Sequence, residues 1–281
     1  MAYSFDRLQV EADGRIVFVT ISNPPVNVIT GELFAELNAF SKELKADSDR
    51  TVAVFKSADP DFFLAHFDVS AILEWKHDYE PQRDAQLKGF HALCERFRLM
   101  NKVCIAQIEG RVGGGGSELC AALDMRFGVR GKTVINQMEV PLGILPGGSG
   151  TQRLPRLMGR GRAMEVILGG DDLDAETAEH WGYLNRIFEP EAIGPYVERL
   201  ARRIASFPPS AVRLAKESVN ASDKPLADGL AEEAYLFERA MRTPEARRNM
   251  RRFLESGGQT RDAELRMGDL CASLGDDEGS T

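Results

Sequence analysis

The sequence lacks the features that mark secreted, membrane-spanning or disulfide-stapled proteins. Its 281 residues include only four cysteines, none of them in a CxxC pair: Cys94, Cys104, Cys120 and Cys271. A chain of this size does not need disulfides, so we expect free thiols in a reducing, cytoplasmic compartment. No apolar run approaches the length that crosses a bilayer, and the N-terminal segment has no basic region followed by an apolar one. We therefore expect neither a membrane span nor a secretory signal.

Positive charge and metal ligands are scarce as well. Lys and Arg number 35 against 43 Asp and Glu, a formal net charge of −8, which argues against a nucleic-acid partner. The four histidines show no HExxH or comparable spacing. His66 and Asp68 lie close enough in sequence to form a metal pair, but a protein zinc site usually needs three or four ligands. The sequence therefore predicts no metal site.

Strand-like and helix-like segments alternate along the first two thirds of the chain. Short, nearly continuous apolar runs predict buried strands at residues 15–22, 51–57 and 102–110. Thr30 predicts the N-cap of a helix that runs to about Ala46, because apolar residues recur there at three- and four-residue spacing. We expect a loop over 58–81 and a helix over 82–99. This alternation is typical of an α/β fold.

The rest of the chain reads as mostly helical. Helices are predicted around 163–168 and over 174–182, 196–207, 225–242 and 243–256. Gly182 is expected to end the second of these helices, and Thr243 to cap the last. A boundary near residue 195 separates the alternating core from this helical region.

Four consecutive glycines, residues 113–116, stand directly before Ser117 and Glu118. Each glycine destabilises a regular element by roughly 0.5–1 kcal/mol relative to alanine, so the run needs a reason. Its spacing excludes a dinucleotide fingerprint, and the chain has no phosphate-binding loop or GxSxG nucleophile elbow. Glycines after a buried strand let main-chain N–H groups point into a cavity, and a helix over 117–123 would put its positive end there. An oxyanion hole fits this pattern; a tight, packed turn is the alternative.

Two glutamates strengthen the first interpretation. Glu118 falls on the opening turn of an otherwise apolar helix, where a solvated carboxylate has no surface to face. Glu139 follows a strand-like segment and precedes a second glycine-rich turn. Either residue alone would fit a helix terminus or the surface. Together with the glycines they indicate one site.

These residues give the sequence a resemblance to the enoyl-CoA hydratase/isomerase family, also called the crotonase superfamily. The matching stretches run in the family's order over about residues 10–256: NPPVNVI (23–29), FFLAHFDVSAI (62–72), IEGRVGGGGSELCAALDMRF (108–127), and residues 135–170, 173–188 and 243–255. The resemblance implies a ββα spiral core over 1–195 that carries the site and a helical oligomerisation region over 196–260. It also implies a homotrimer or a dimer of trimers, an acyl-CoA thioester substrate of fatty acid metabolism, and no further cofactor. The small and acidic residues that end the chain predict a partly disordered tail over 261–281.

Roles for single residues follow from the resemblance. The N–H groups of Phe67 and Gly115 would hold the thioester oxygen as it becomes an enolate. Glu118 would position and deprotonate the water that attacks C3, and Glu139 would protonate C2. Substrate contacts are expected at Val26, Val28, Ala65, His66, Asp68, Gly114, Leu142 and Gly143.

The pair of glutamates favours a hydratase, because adding water to a conjugated double bond needs both a base and an acid. The same oxyanion hole serves isomerases, hydrolases, lyases and decarboxylases, so another of these activities on an acyl-CoA is the alternative. A non-catalytic binding subunit with this fold is a third interpretation. It is disfavoured because a scaffold has no need for two inward-facing acids.

The sequence departs from the family in three places. Where the family has AGxD this chain has AHFD, so His66 replaces a glycine and Phe67 is bulky. His66 is either a structural side chain or a third polar group of the site. Ser256 replaces a lysine, and Pro24 and Pro25 stand where some members carry a basic residue before VN. Four arginines either compensate by contacting the nucleotide phosphates or only form a solvated helix face: Arg247, Arg248, Arg251 and Arg252.

Overall fold

The computed structural model describes residues 3–75, 78, 80, 83 and 86–275. Ten strands lie within these residues: β1 (Leu8–Asp13), β2 (Ile16–Ile21), β3 (Val52–Ser57), β4 (Phe62–Leu64), β5 (Val103–Ile108), β6 (Arg111–Gly113), β7 (Met125–Val129), β8 (Val134–Asn136), β9 (Leu173–Asp174) and β10 (Arg186–Phe188). The same residues hold thirteen α-helices: α1 (Gly31–Ala46), α2 (Val69–Leu73), α3 (Gly89–Leu99), α4 (Gly114–Ala122), α5 (Gly150–Met158), α6 (Arg160–Gly169), α7 (Ala175–Trp181), α8 (Pro190–Ala205), α9 (Pro209–Asn220), α10 (Leu226–Met241), α11 (Pro244–Glu255), α12 (Arg261–Glu264) and α13 (Met267–Ser273).

The ten strands form two sheets, and from β3 to β8 successive strands alternate between them. The larger sheet has the order β1-β2-β3-β5-β7-β10 and the smaller one β4-β6-β8-β9. Apart from the antiparallel pairs β1–β2 and β8–β9, all neighbours are parallel. From β3 to β8, each turn of the chain therefore adds one strand to each sheet and then a helical segment, which confirms the predicted α/β class.

Two apolar clusters hold the layers together. The larger one lies between the sheets and helices α1, α3 and α4, with Phe40, Phe55 and Phe97 fully buried. The smaller one lies where α8 covers the other face of the large sheet, with Ile193 and Val197 against Val54 and Ile105. Strands covered on both faces explain the unbroken apolar runs in the sequence.

Several predicted elements are confirmed near their predicted ends. The Thr30 hydroxyl accepts a hydrogen bond from Leu33 N (3.3 Å) and begins α1. Gly182 ends α7 with φ at 91°, a left-handed conformation that suits glycine. Thr243 caps α11 through Ala246 N (3.3 Å).

The prediction of a loop over 58–81 was wrong in part, because β4 and α2 lie within it. Helix α3 begins at Gly89 rather than at residue 82. The predicted start at residue 82 lies outside the described part of the chain, as do residues 76, 77, 79, 81, 84 and 85. Three- and five-residue elements are too short to leave a periodic signal.

The C-terminal third is helical, as predicted, but one helix runs across the predicted boundary between the core and the helical region. Helix α8 begins at Pro190, ahead of the expected 196, so the boundary at residue 195 falls inside a single helix. Within 261–275 the chain forms α12 and α13, where Ala263 and Leu270 are buried; residues 276–281 lie outside the description. Every helix that the structure describes is too short or too polar to cross a bilayer.

Candidate active site

The glycine run forms the first turn of α4. The helix begins at Gly114, three residues before its predicted start at 117, and follows β6 directly. A Cβ on Gly116 would collide with the Leu64 carbonyl, and one on Gly115 would lie 3.1 Å from the Phe67 Cβ. Side chains are therefore excluded where α4 meets the segment after β4, and backbone approaches backbone.

Two main-chain amides meet at this junction. Ile29 N donates to His66 O (2.8 Å) and Asp68 N donates to Ile29 O (3.1 Å), and these bonds bracket Phe67. Phe67 N itself has no acceptor among the described residues, nor has Gly115 N, which belongs to the open first turn of α4. Phe67 N lies 3.4 Å from the point where a Cβ on Gly115 would stand. Two unpaired donors are thus adjacent.

Glu118 is held by the second glycine-rich turn. Its Oε1 accepts hydrogen bonds from Gly148 N (2.8 Å) and Gly150 N (2.7 Å), and the side chain is buried. Burial, reinforced by the charge of Glu139, raises the pKa of Glu118 from its ordinary 4.5 to about 7. The two amides and Arg153 oppose that rise. The result is a carboxyl group that is partly ionised at neutral pH.

Glu139 is the second buried acid. Its Oε2 accepts a hydrogen bond from Gln137 Nε2 (3.1 Å), and its Oε1 lies 3.0 Å from the position of a Cβ on Gly114. Burial raises the pKa of Glu139, while Gln137 and His66 act against the rise. The two acids therefore both favour protonation more than an exposed glutamate does.

One cavity of about 1100 Å³ collects these groups. Its wall includes seven of the predicted site residues: His66, Phe67, Gly115, Glu118, Glu139, Leu142 and Gly143. The other five predicted site residues are not among the described residues that line this cavity: Val26, Val28, Ala65, Asp68 and Gly114. Gly114 nonetheless abuts both His66 and Glu139. Asp68 instead caps α2, accepting from Ser70 N (2.9 Å), so its side chain is occupied in local structure.

The comparisons with known proteins agree with this geometry. A family model described as enoyl-CoA hydratase/isomerase matches residues 11–261. The chain belongs to the enoyl-CoA hydratase/isomerase family. It is 33% identical over 257 residues to a probable enoyl-CoA hydratase of Rhizobium meliloti, covering 89% of this chain and 96% of that protein. It is 30% identical to a short-chain-enoyl-CoA hydratase of Clostridium acetobutylicum, covering 88% and 94%.

Solved structures confirm the predicted fold of this family. The crystal structure of an enoyl-CoA hydratase from Bacillus anthracis superposes with a TM-score of 0.82 at 27% identity, covering 89% of this chain and 97% of that one. An enoyl-CoA hydratase structure from Geobacillus kaustophilus gives 0.81 at 30% identity, covering 90% and 96%. The spiral of paired strands and helices is therefore shared over nearly the whole chain.

A buried arginine stabilises the C-terminal end of α4. Arg126 donates from Nε to Tyr183 O (2.7 Å) and from Nη1 to Leu123 O (2.8 Å) and Cys120 O (3.2 Å), at the C-terminal end of α4. The Tyr183 hydroxyl in turn donates to Ser117 O (3.0 Å). A cation at the C-terminus of a helix is favourable, and here it also fixes the helix that carries Gly115 and Glu118.

Sequence reasoning missed much of the cavity wall. Four aromatic residues line it, Phe34, Phe67, Trp75 and Phe90, and only Phe67 was among the predicted site residues. The amides of Gly148 and Gly150 were also missed as partners of Glu118. The glycine-rich turn over 147–150 was a usable signal for them, since it leaves main-chain donors uncovered. The described residues contain no cluster of three or more potential metal ligands.

Proposed function

We propose that this protein is an enoyl-CoA hydratase, which adds water across the 2,3 double bond of a 2-enoyl-CoA thioester. One observation carries the proposal: two adjacent unpaired amides and two buried carboxyl groups line the same cavity. Hydration of an enoyl thioester needs this set of groups, since negative charge develops on the thioester oxygen while a proton is taken from water and another is given to carbon.

The amides of Phe67 and Gly115 act as the oxyanion hole. Fixed donors that face a developing negative charge stabilise it without reorganising, and removal of one such donor typically lowers kcat by about 10²–10³. The bulky Phe67 side chain does not alter this role, because the donor is its main-chain N–H. The positive N-terminal end of α4 lies at the same place and adds to the effect.

The two glutamates move the protons. The Glu118 carboxylate takes a proton from the water whose oxygen bonds to C3, and the Glu139 carboxylic acid gives its proton to C2. The pKa of about 7 for Glu118 suits a base that works near neutral pH. The raised pKa of Glu139 favours the protonated form that an acid requires. Because the two groups interact, they titrate as a pair.

The remaining expectations extend the same proposal. His66, Leu142 and Gly143 contact the acyl thioester inside the cavity. Val26, Val28, Ala65, Asp68 and Gly114 do not line this cavity, and they contact the part of the substrate that lies outside it. The C-terminal helices mediate a trimer or a dimer of trimers, supported by large apolar side chains that α10 and α11 leave exposed: Leu226, Leu230, Phe237 and Leu254. No cofactor beyond the coenzyme A of the substrate takes part. The buried free thiols of Cys94, Cys104 and Cys120 suit a cytoplasmic location.

The test is hydration of crotonyl-CoA, followed by loss of the absorbance of the conjugated double bond and by the mass of the product. A gain of one water identifies hydration, whereas unchanged mass identifies an isomerase. Glu118→Gln and Glu139→Gln should each lower kcat by at least about 10², because each removes one proton-transfer group. Glu165→Gln, an exposed residue on α6, is the matched control and should retain full activity. Near-normal turnover in both site variants would disprove the assigned roles.

A further inference from the structure

Four aromatic rings form one wall of the cavity. Phe67 stands at its centre, with ring centroids 5.7 Å from Phe90, 6.1 Å from Trp75 and 6.3 Å from Phe34. These three contacts are edge-to-face, at interplanar angles of 83°, 62° and 61°. Phe34 and Phe90 also approach each other at 6.2 Å. We call these four residues the aromatic wall.

The aromatic wall is not part of the sealed core. Phe34 comes from α1 and Phe90 from the first turn of α3, whereas Trp75 lies two residues after the end of α2. Phe34, Phe67 and Phe90 are half-buried and Trp75 is 56% exposed, whereas core phenylalanines such as Phe40 are fully buried. Ring surface is therefore left uncovered toward the cavity.

The aromatic wall lies next to the reacting atoms. Phe67 carries the amide that we assign to the thioester oxygen. The Phe90 ring and Glu118 Oε2 both lie 2.5 Å from the point where a Cβ on Gly148 would stand, so the ring lies directly beside that carboxylate. In the proposed mechanism, Glu118 acts on the water that adds to C3, so C3 of the acyl group faces Glu118. The substituent carried by C3 consequently meets Phe90 and Phe67.

On the basis of the proposed hydratase function, we propose that the preferred substrate carries an aryl group on C3, as a 3-aryl-2-enoyl-CoA thioester. Rings already set edge-to-face present both edges and faces to a further ring, and each such aromatic contact adds to the affinity beyond its buried area. An aryl group conjugated to the double bond is also rigid, so it loses less rotamer freedom on binding than an alkyl chain of equal size. Two good contacts correspond to about a tenfold preference.

The preference is measured on the unaltered protein with two substrates that carry nine acyl carbons each. These are 3-hydroxy-3-phenylpropanoyl-CoA and 3-hydroxynonanoyl-CoA, assayed for dehydration because conjugation with the ring opposes hydration. In this direction Glu139 takes the C2 proton, the C3–O bond breaks, and Glu118 protonates the departing hydroxide. We expect kcat/KM to be at least about tenfold higher for the aryl substrate. Equal values, or a preference for the alkyl chain, would overturn the proposal.

Variants then locate the source of the preference. Phe34→Leu and Phe90→Leu each remove one ring of the aromatic wall and should lower the aryl-to-alkyl ratio severalfold. Phe18→Leu, on β2 outside the cavity wall, is the same substitution and should leave the ratio unchanged. A ratio that survives both wall substitutions would also refute the assignment, and the wild-type ratio stands whether or not a variant folds.

Crotonyl-CoA separates this inference from the function on which it rests. If crotonyl-CoA is hydrated and the aryl preference is absent, only the aryl assignment fails. If neither crotonyl-CoA nor either nine-carbon substrate reacts, the proposed hydratase function fails with it.

Discussion

Replacement of Glu118 by glutamine should stabilise the protein at alkaline pH while impairing catalysis. The buried Glu118 carboxyl has its pKa raised from 4.5 to about 7, so folding opposes its ionisation. Glutamine keeps the carbonyl oxygen that accepts from Gly148 N and Gly150 N, now 2.8 and 2.7 Å from Glu118 Oε1. The new amide faces the cavity, where water can bind it. The substitution thus removes a charge while preserving the contacts.

The sign and size of the effect follow from the shift. Between pH 4.5 and about 7 the folded protein keeps a proton that the unfolded chain has lost, so the free energy of unfolding falls as pH rises through this window. Each pKa unit corresponds to about 1.4 kcal/mol, which gives a loss of about 3 kcal/mol in the wild type by pH 8. The variant has no such loss. Its advantage should therefore grow by about 2–3 kcal/mol between pH 5 and pH 8.

Urea unfolding at pH 5, 6, 7 and 8, followed by far-ultraviolet circular dichroism at one protein concentration, measures this advantage. Glu139 and Asp124 also have raised pKa values, but both proteins carry them, so their contributions largely cancel. Glu165→Gln should show no pH-dependent difference from the wild type. A Glu118→Gln advantage that is constant, absent, or largest at pH 5 would refute the reasoning.

Two further substitutions test the support of the site. Gly115→Ala places a Cβ 3.1 Å from the Phe67 Cβ and 3.4 Å from the Phe67 amide nitrogen, so kcat on crotonyl-CoA should fall by about 10². Gly161→Ala is the control and should stay active, because no atom lies within 4 Å of its added Cβ. Equal activity of the two variants would contradict the pairing of the Phe67 and Gly115 amides. Arg126→Met leaves the carbonyls of Tyr183 and Leu123 without a donor, whereas Cys120 O keeps Leu123 N (3.1 Å). The substitution should lower the free energy of unfolding in urea by about 2–4 kcal/mol, unlike Met at the exposed Arg160. Unchanged stability would show that Arg126 does not hold α4.

The fold was predictable where local chemistry decides the structure. Thr30, Thr243 and Gly182 mark helix ends because a hydroxyl or a missing Cβ satisfies the terminal backbone groups of the same helix. Strand β4 and helix α2 depend on distant partners, since β4 exists only through pairing with β6. Asp68 was a local signal for α2, because its side chain accepts from Ser70 N. It was assigned to substrate binding instead.

The parts of the candidate site that depend on neighbouring residues in the sequence were predictable, but the contacts between distant residues that enclose it were not. Glu118 and Glu139 stand beside glycine-rich turns, so their burial could be inferred from sequence. The amides that hold Glu118 come from Gly148 and Gly150, some thirty residues away, and no local pattern connects them. The aromatic wall is assembled from two helices, α1 and α3, and from two segments outside the helices and strands, so its residues share no regular sequence spacing.

Both glycine-rich turns expose main-chain amides, one toward the cavity and the other toward Glu118. At Gly115 the missing side chain exposes an amide to the cavity, and at Gly148 and Gly150 it lets amides reach Glu118 Oε1. Burial alone would raise the pKa of Glu118 further and leave too little carboxylate at neutral pH to deprotonate water. Amide bonds without burial would leave it ionised but a weak base. A value near 7 results because both act on the same carboxyl group, so the turn that holds Glu118 also sets its strength as the proposed base.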